Sequence, residues 1–194
     1  VYPGDGKGYQ LMANLLGYLR LYRSTGNEKY LQTALHGWHE IQEKHLLTTG
    51  GPWTRKMPYN GNKECFAHQD AFNPEKIVVE GCCDATWIQL NIHLFEFTGD
   101  AKYFEEAEVT LINSVYGHQY SDGIEFCYYT APNESDPPYV PNFHCCASSE
   151  PRGMEMYSSH LAGVVQNNLS INTLSPSTIA LSSQFGGGSL KIEG

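Results

Sequence analysis

The residues best able to do chemistry fall in two short runs, Glu80-Gly81-Cys82-Cys83 and His144-Cys145-Cys146. Thiolate, imidazole and carboxylate are the side chains that zinc accepts, and a tetrahedral site takes four of them, or three with one position left open. Glu80, Cys82, Cys145 and Cys146 can supply four. The runs lack the Cys-x-x-Cys spacing of a zinc finger, so cysteines packed as small apolar groups near a helix start are an equal reading of the spacing alone. The six cysteines, at 65, 82, 83, 127, 145 and 146, would also fit three disulfides. Two adjacent pairs beside Glu and His suit metal ligation better than evenly spread staples do.

The elements that must position these residues show in a self-comparison. Residues 21–34 echo residues 94–107 at an offset of 73. In each copy an apolar-periodic helix ends at Thr-Gly, where glycine takes the left-handed cap, and Asn27 or Asp100 opens the next helix. Helical hairpins over 9–24 with 28–47, and over 82–97 with 101–117, follow. Pairs with one apolar face each must stack to bury it, as in a solenoid or a closed α/α toroid. Between them, 50–79 is rich in Gly, Pro and Asn and reads as a long loop of the kind that lines sites. The stretch 117–129 reads as a β-hairpin turning at Ser121-Asp122-Gly123. Helical signals return at 149–162, and from 163 short alternating strands separated by Asn-Asn and Ser-Pro turns open an all-β region.

Bulk properties narrow the partners. A length of 194 residues suits one domain, or most of one and the start of another. The formal charge of -9 repels phosphate backbones and anionic lipid, which excludes nucleic acid as a partner class. No apolar run approaches the roughly 20 residues that a spanning helix needs, so no membrane partner is expected.

The ordered set of motifs resembles the catalytic core of glycoside hydrolase family 127, the β-L-arabinofuranosidase family. It comprises Thr49-Gly50-Gly51, Lys63-Glu64-Cys65-Phe66, Glu80-x-Cys82 opening a helix, Thr98-Gly99-Asp100-Ala101-Lys102-Tyr103, Phe126-x-Tyr128-Tyr129-x-x-Pro132 and Cys145-Cys146. The resemblance implies a mainly α fold: part of an (α/α)6 barrel of helical hairpins over 1–162, with the first strands of a C-terminal β-sandwich over 163–194. It implies a zinc ion held by Glu80, Cys82, Cys145 and Cys146, with Cys145 the nucleophile of a retaining glycosidase and Glu64 the general acid/base. Tyr129 aligns with a sugar-contacting tyrosine, and Lys7 stands where the family commonly places a substrate-touching histidine. His68, close in sequence to Glu64, is a further candidate sugar contact, and Trp53, Tyr59 and Phe66 a candidate aromatic wall. After the cysteine pair, Ala147-Ser148-Ser149-Glu150-Pro151 replaces the family's Pro-Pro-Asn.

The implied substrates are β-L-arabinofuranosides or related plant-type glycans. Two or three hairpins leave apolar faces without neighbours, so the remainder of the same barrel or a companion chain is an expected partner. A non-catalytic zinc-containing carbohydrate-binding relative, and a metal-free toroid isomerase or lyase using His and Tyr, are the alternatives.

Overall fold

The computed structural model describes residues 6–55, 64–67, 77–131 and 144–193. Its first hairpin pairs α1 (Gly8–Thr25) with α2 (Glu28–Lys44). Leu11, Met12, Leu15, Leu16 and Leu19 line one face of α1, and Leu31, Ala34, Trp38 and Ile41 the facing side of α2. The turn has the geometry its sequence predicts. Gly26, at φ 66°, donates its N–H to the Tyr22 carbonyl over 2.8 Å, and Asn27 Oδ1 accepts from the Lys29 N–H at 3.1 Å.

The second hairpin, α3 (Gly81–Thr98) and α4 (Ala101–Thr110), repeats this turn: Gly99 sits at φ 70° and Asp100 Oδ1 accepts from the Lys102 N–H at 3.2 Å. Asp100→Ala should therefore cost about 1 kcal/mol, read as a lower urea midpoint at unchanged slope. Arg23 and Glu96, equivalent positions of the two copies, form an ion pair at 2.8 Å that links the hairpins.

Helix α3 is the centre of the molecule. Cys83, Trp87, Ile88, Leu90, Ile92 and Leu94 bury nearly its whole circumference, as expected of a helix without a solvent face. It packs against α1, α4 and α6 (Cys146–Ser158). Trp38 joins α2 to it, stacking on Trp87 at 5.7 Å and donating from Nε1 to Asn91 Oδ1 at 2.6 Å. Beyond α4 the chain runs through one π-helical segment, Leu111–Val115, into α5 (Tyr116–His118), and this wider turn re-aims the side chains after it.

Three expectations are corrected. The stretch 50–79 is not all irregular: β1 (Trp53–Arg55) pairs antiparallel with β2 (Ile77–Glu80). Ile77-Val78-Val79 is buried on both faces, so it shows no alternation that a periodicity test could detect. The segment 117–129 turns at Ser121-Asp122-Gly123 as expected, with the Gln119↔Phe126 bridge flanked by hydrogen bonds from the Tyr120 N–H to the Glu125 carbonyl at 2.9 Å and from the Cys127 N–H to the His118 carbonyl at 2.8 Å. It is shorter than expected because α5 extends the helix to His118, and its end, β3 (Tyr129–Thr130), pairs with β2. Helix α6 starts at Cys146 rather than 149. Pro151 lies inside the helix.

After α6, β4 (Ala162–Val165) and β5 (Asn168–Ile171) form one antiparallel hairpin, and β6 (Ser177–Ala180) and β7 (Ser189–Ile192) another. They are two separate sheets. Gln166 donates from Nε2 to the Phe97 carbonyl at 3.1 Å, tying the first hairpin to the end of α3. Among the described residues no helix is long and apolar enough to cross a membrane.

Candidate functional site

Two helices begin at one place. Glu80 ends β2 and is the N-cap of α3, which puts Cys82 in that helix's first turn; Cys145 is the N-cap of α6, followed by Cys146. The large α3–α6 contact brings the two starts together. One ligand atom from each of Glu80, Cys82, Cys145 and Cys146 lies within 4.8 Å of the others, and the sulfurs of Cys82 and Cys146 are 3.5 Å apart. That separation is far from a bond of about 2.05 Å, and all six cysteines are free thiols, so none serves as a staple. Cys82, Cys146 and Glu80 are buried, whereas Cys145 is exposed.

The donor chemistry fits a thiolate-preferring divalent cation. In the absence of an ion the four groups crowd negative charge. Burial, then the charge of Glu64, pushes the Glu80 carboxyl up to about 8, with Lys7 opposing. The Cys82 thiol is pushed up to about 12, first by its hydrogen bond with Cys145, and Cys146 is also raised, while hydrogen bonds from Cys146 and Cys82 hold Cys145 low. Of the three sulfurs, the exposed Cys145 is the one whose thiolate its neighbours favour. A cation at their centre would release the remaining protons. The partial positive charge at both helix N-termini acts in the same direction.

Glu64 stands beside this cluster under several constraints. Its backbone is at φ 56°, a left-handed conformation that side-chain-bearing residues seldom adopt, and its carbonyl accepts from the Gly8 N–H at 2.9 Å. The Tyr129 hydroxyl donates to one carboxylate oxygen, and the Lys7 ammonium pairs with the other. Lys7 also lies 3.8 Å from Glu80 Oε1 and 4.8 Å from the centre of the Tyr9 ring. Burial pulls the Lys7 pKa down, but the Glu64 hydrogen bond and the charges of Glu80 and Glu64 outweigh it, and the ammonium is stabilised. The sheet arranges this meeting: Tyr129 is directly opposite Glu80 across β2–β3, while Cys65 bridges to Lys7 and Phe66 to Thr54.

Seven of the eight proposed site residues are therefore gathered in one region: Lys7, Glu64, Glu80, Cys82, Cys145 and Cys146, with Tyr129 joining them through Glu64. His68 and Tyr59 lie outside the described residues. Trp53 is 2% exposed, packed against Ala67 and Ile77, so it offers no ring face to a sugar, and Phe66 is stacked on His45 at 5.1 Å. Trp53 is thus not part of an aromatic wall, whereas Phe66 is only partly buried. His144 caps α6, its Nδ1 accepting from the Ala147 N–H at 3.3 Å.

Sequence reasoning missed several participants. The Tyr128 hydroxyl is 3.9 Å from Cys145 Sγ, Ser149 Oγ is 3.4 Å from Cys82 Sγ, and Cys83 Sγ is 3.7 Å from Glu80 Oε2. The adjacent tyrosines were visible, but only their strand placement reveals which group each one meets. A second set, Asp84, His118 and Glu150, carries no spacing signal at all, being scattered over three helices.

Solved structures of similar shape share this architecture. One described as a glycoside hydrolase superposes with a TM-score of 0.74 at 19% identity, over 98% of this chain and 35% of its own. A GH127 β-arabinofuranosidase gives 0.76 at 23% identity, over 91% and 27%. A GH127 β-L-arabinofuranosidase from Geobacillus stearothermophilus T6 gives 0.73 at 17%, over 91% and 29%. The fold is thus part of the helical-barrel domain found in glycoside hydrolases, and the chain spans about a third of the length of these structures. No curated protein matches the sequence. The family sequence model for the β-L-arabinofuranosidase GH127 catalytic domain matches residues 8–160, and the chain belongs to that family.

Proposed function

We propose that this site is the catalytic centre of a retaining glycosidase acting on β-L-arabinofuranosides or related plant-type glycans. In this reading Cys145 is the nucleophile, Glu64 the acid/base, and Glu80, Cys82, Cys145 and Cys146 hold zinc. The observation that carries the reading is the convergence of one carboxylate and three sulfurs, with the single exposed sulfur beside the buried, doubly clasped Glu64. Zinc bound there would keep the sulfurs deprotonated at neutral pH.

The chain's own groups then divide the reaction. Cys145 Sγ attacks the anomeric carbon as the glycosidic C–O bond breaks, and Glu64 gives its proton to the departing oxygen. Water next attacks the same carbon, Glu64 takes a proton from it, and the C–S bond breaks to return the Cys145 thiolate. Two inversions retain configuration. Tyr129 orients the Glu64 carboxyl, and Tyr128 is close enough to donate to the sulfur. Residues 1–162 belong in this reading to the barrel, and the hairpins of 163–194 to a following β-sandwich.

Glu64→Gln tests the acid/base. It should lower kcat/KM, which reports the first displacement, about 10²–10⁴-fold on a substrate with a poor leaving group and much less on an aryl glycoside whose phenolate leaves unaided. Equal losses on both substrates would remove Glu64 from proton transfer. One observation favours a non-catalytic relative: the Lys7 ammonium engages the very carboxylate that must be protonated. Full zinc occupancy and sugar affinity without hydrolysis of any furanoside or pyranoside would establish that alternative.

A further inference from the structure

Asp84 follows Cys82 by two residues on α3, and Glu150 follows Cys146 by one turn on α6. With His118 of α5 they form a group that the proposed reaction does not use. All three are 0% exposed, and one ligand atom from each lies within 4.8 Å of the others. His118 Nδ1 touches Glu150 Oε1; its Nε2 is 2.5 Å from Thr130 Oγ1 and 3.9 Å from Asp84 Oδ2. The Ser114 hydroxyl donates to Asp84 Oδ2 at 2.6 Å. Among the described residues Asp84 Oδ1 and Glu150 Oε2 have no hydrogen-bond partner, and no Lys or Arg pairs with either carboxylate.

We propose that Asp84, His118 and Glu150 form a second, closed divalent-cation site, distinct from the thiolate cluster.

The case is one of unused donor capacity. Two buried acceptor oxygens, Asp84 Oδ1 and Glu150 Oε2, meet no donor among the described residues, and a buried polar atom without a partner is costly. One divalent ion would use both. One nitrogen and two carboxylates, with the Thr130 and Ser114 hydroxyls alongside, are a donor set suited to zinc or manganese and harder than the neighbouring sulfur cluster. Ligands of one ion lie roughly 3–4 Å apart, so binding would draw the three donors, which lie within 4.8 Å of one another, inward by about an ångström. The packing is shaped around the carboxylates: a Cβ on Gly81 would collide with Glu150 Oε1. The full burial makes this an ion that fastens α3, α5 and α6 together rather than one that meets substrate.

The rival arrangement places protons on both acids, and neutral isosteres separate the two. The full-length protein, equilibrated with zinc or with manganese and desalted, should hold two metal equivalents with zinc by elemental analysis. Glu150→Gln and Asp84→Asn should each lose one equivalent and keep the other, whereas Cys82→Ser with Cys146→Ser should lose the complementary one. With cobalt alone, one equivalent should bring the sulfur-to-cobalt charge-transfer band and the second should bind without adding to it, a readout that needs no variant to fold. A single equivalent in the wild type that the paired cysteine changes remove, or two equivalents that survive both isosteric changes, would overturn the second site. A single equivalent that survives the cysteine changes and is lost in Glu150→Gln would count against the catalytic reading and leave this one standing.

Discussion

Cys145→Ser is expected to reduce kcat/KM on a β-L-arabinofuranoside by about 10⁴-fold or more, the scale seen when a covalent nucleophile is removed from an otherwise intact site. A serine hydroxyl in the same place would be neutral, and neither Cys82 nor Cys146 can substitute, because both sulfurs are buried beneath the exposed one. Three ligands would remain, so metal content should fall far less than turnover. That split distinguishes loss of the attacking atom from collapse of the site. Measured together, near-normal hydrolysis by Cys145→Ser with its metal intact would remove the cysteine from the chemistry.

The second large effect should be on stability. Cys82 lies in the first turn of α3 and Cys146 in the first turn of α6, and these helices make the most extensive contact in the fold. An ion that binds only the native arrangement stabilises it by about 4 kcal/mol at a thousandfold excess over its Kd, which corresponds to about 8–16 °C in a domain of 150–250 residues. Chelation should therefore lower the melting midpoint by about 10 °C, and Cys82→Ser with Cys146→Ser, which leaves two ligands, should reproduce most of that fall without chelator. A melt unmoved by both treatments would mean that packing alone holds the two helices and that the sulfur cluster binds no ion of consequence.

The helical hairpins were legible because their signals are local. Thr-Gly-Asn and Thr-Gly-Asp encode a left-handed cap followed at once by an N-cap, and both turns have that geometry. The adjacency of Glu80 and Cys82, and of Cys145 and Cys146, was equally local, and the family resemblance joined the two runs. Long-range pairings were not readable. β2 is four buried residues without alternation, so neither its existence nor its partners follow from pattern, and β3 is two residues long. The ion pair of Lys7 with Glu64 needs two distant backbone segments to meet, and the buried Asp84, His118 and Glu150 group needs three helices. Such constellations exist only in tertiary structure.

The two tyrosines that close the short sheet have a consequence for how this enzyme class tolerates change. Tyr128 meets the sulfur of Cys145 while its immediate neighbour Tyr129 meets the carboxylate of Glu64, and Tyr129 is held opposite Glu80. Sliding β3 by one residue would swap the faces and withdraw both hydroxyls at once. The segment joining His118 to Tyr128 therefore acts as a ruler: an insertion or deletion that it cannot absorb at the exposed Ser121-Asp122-Gly123 tip would withdraw the tyrosine contacts from Cys145 and Glu64 in one stroke, with neither residue altered.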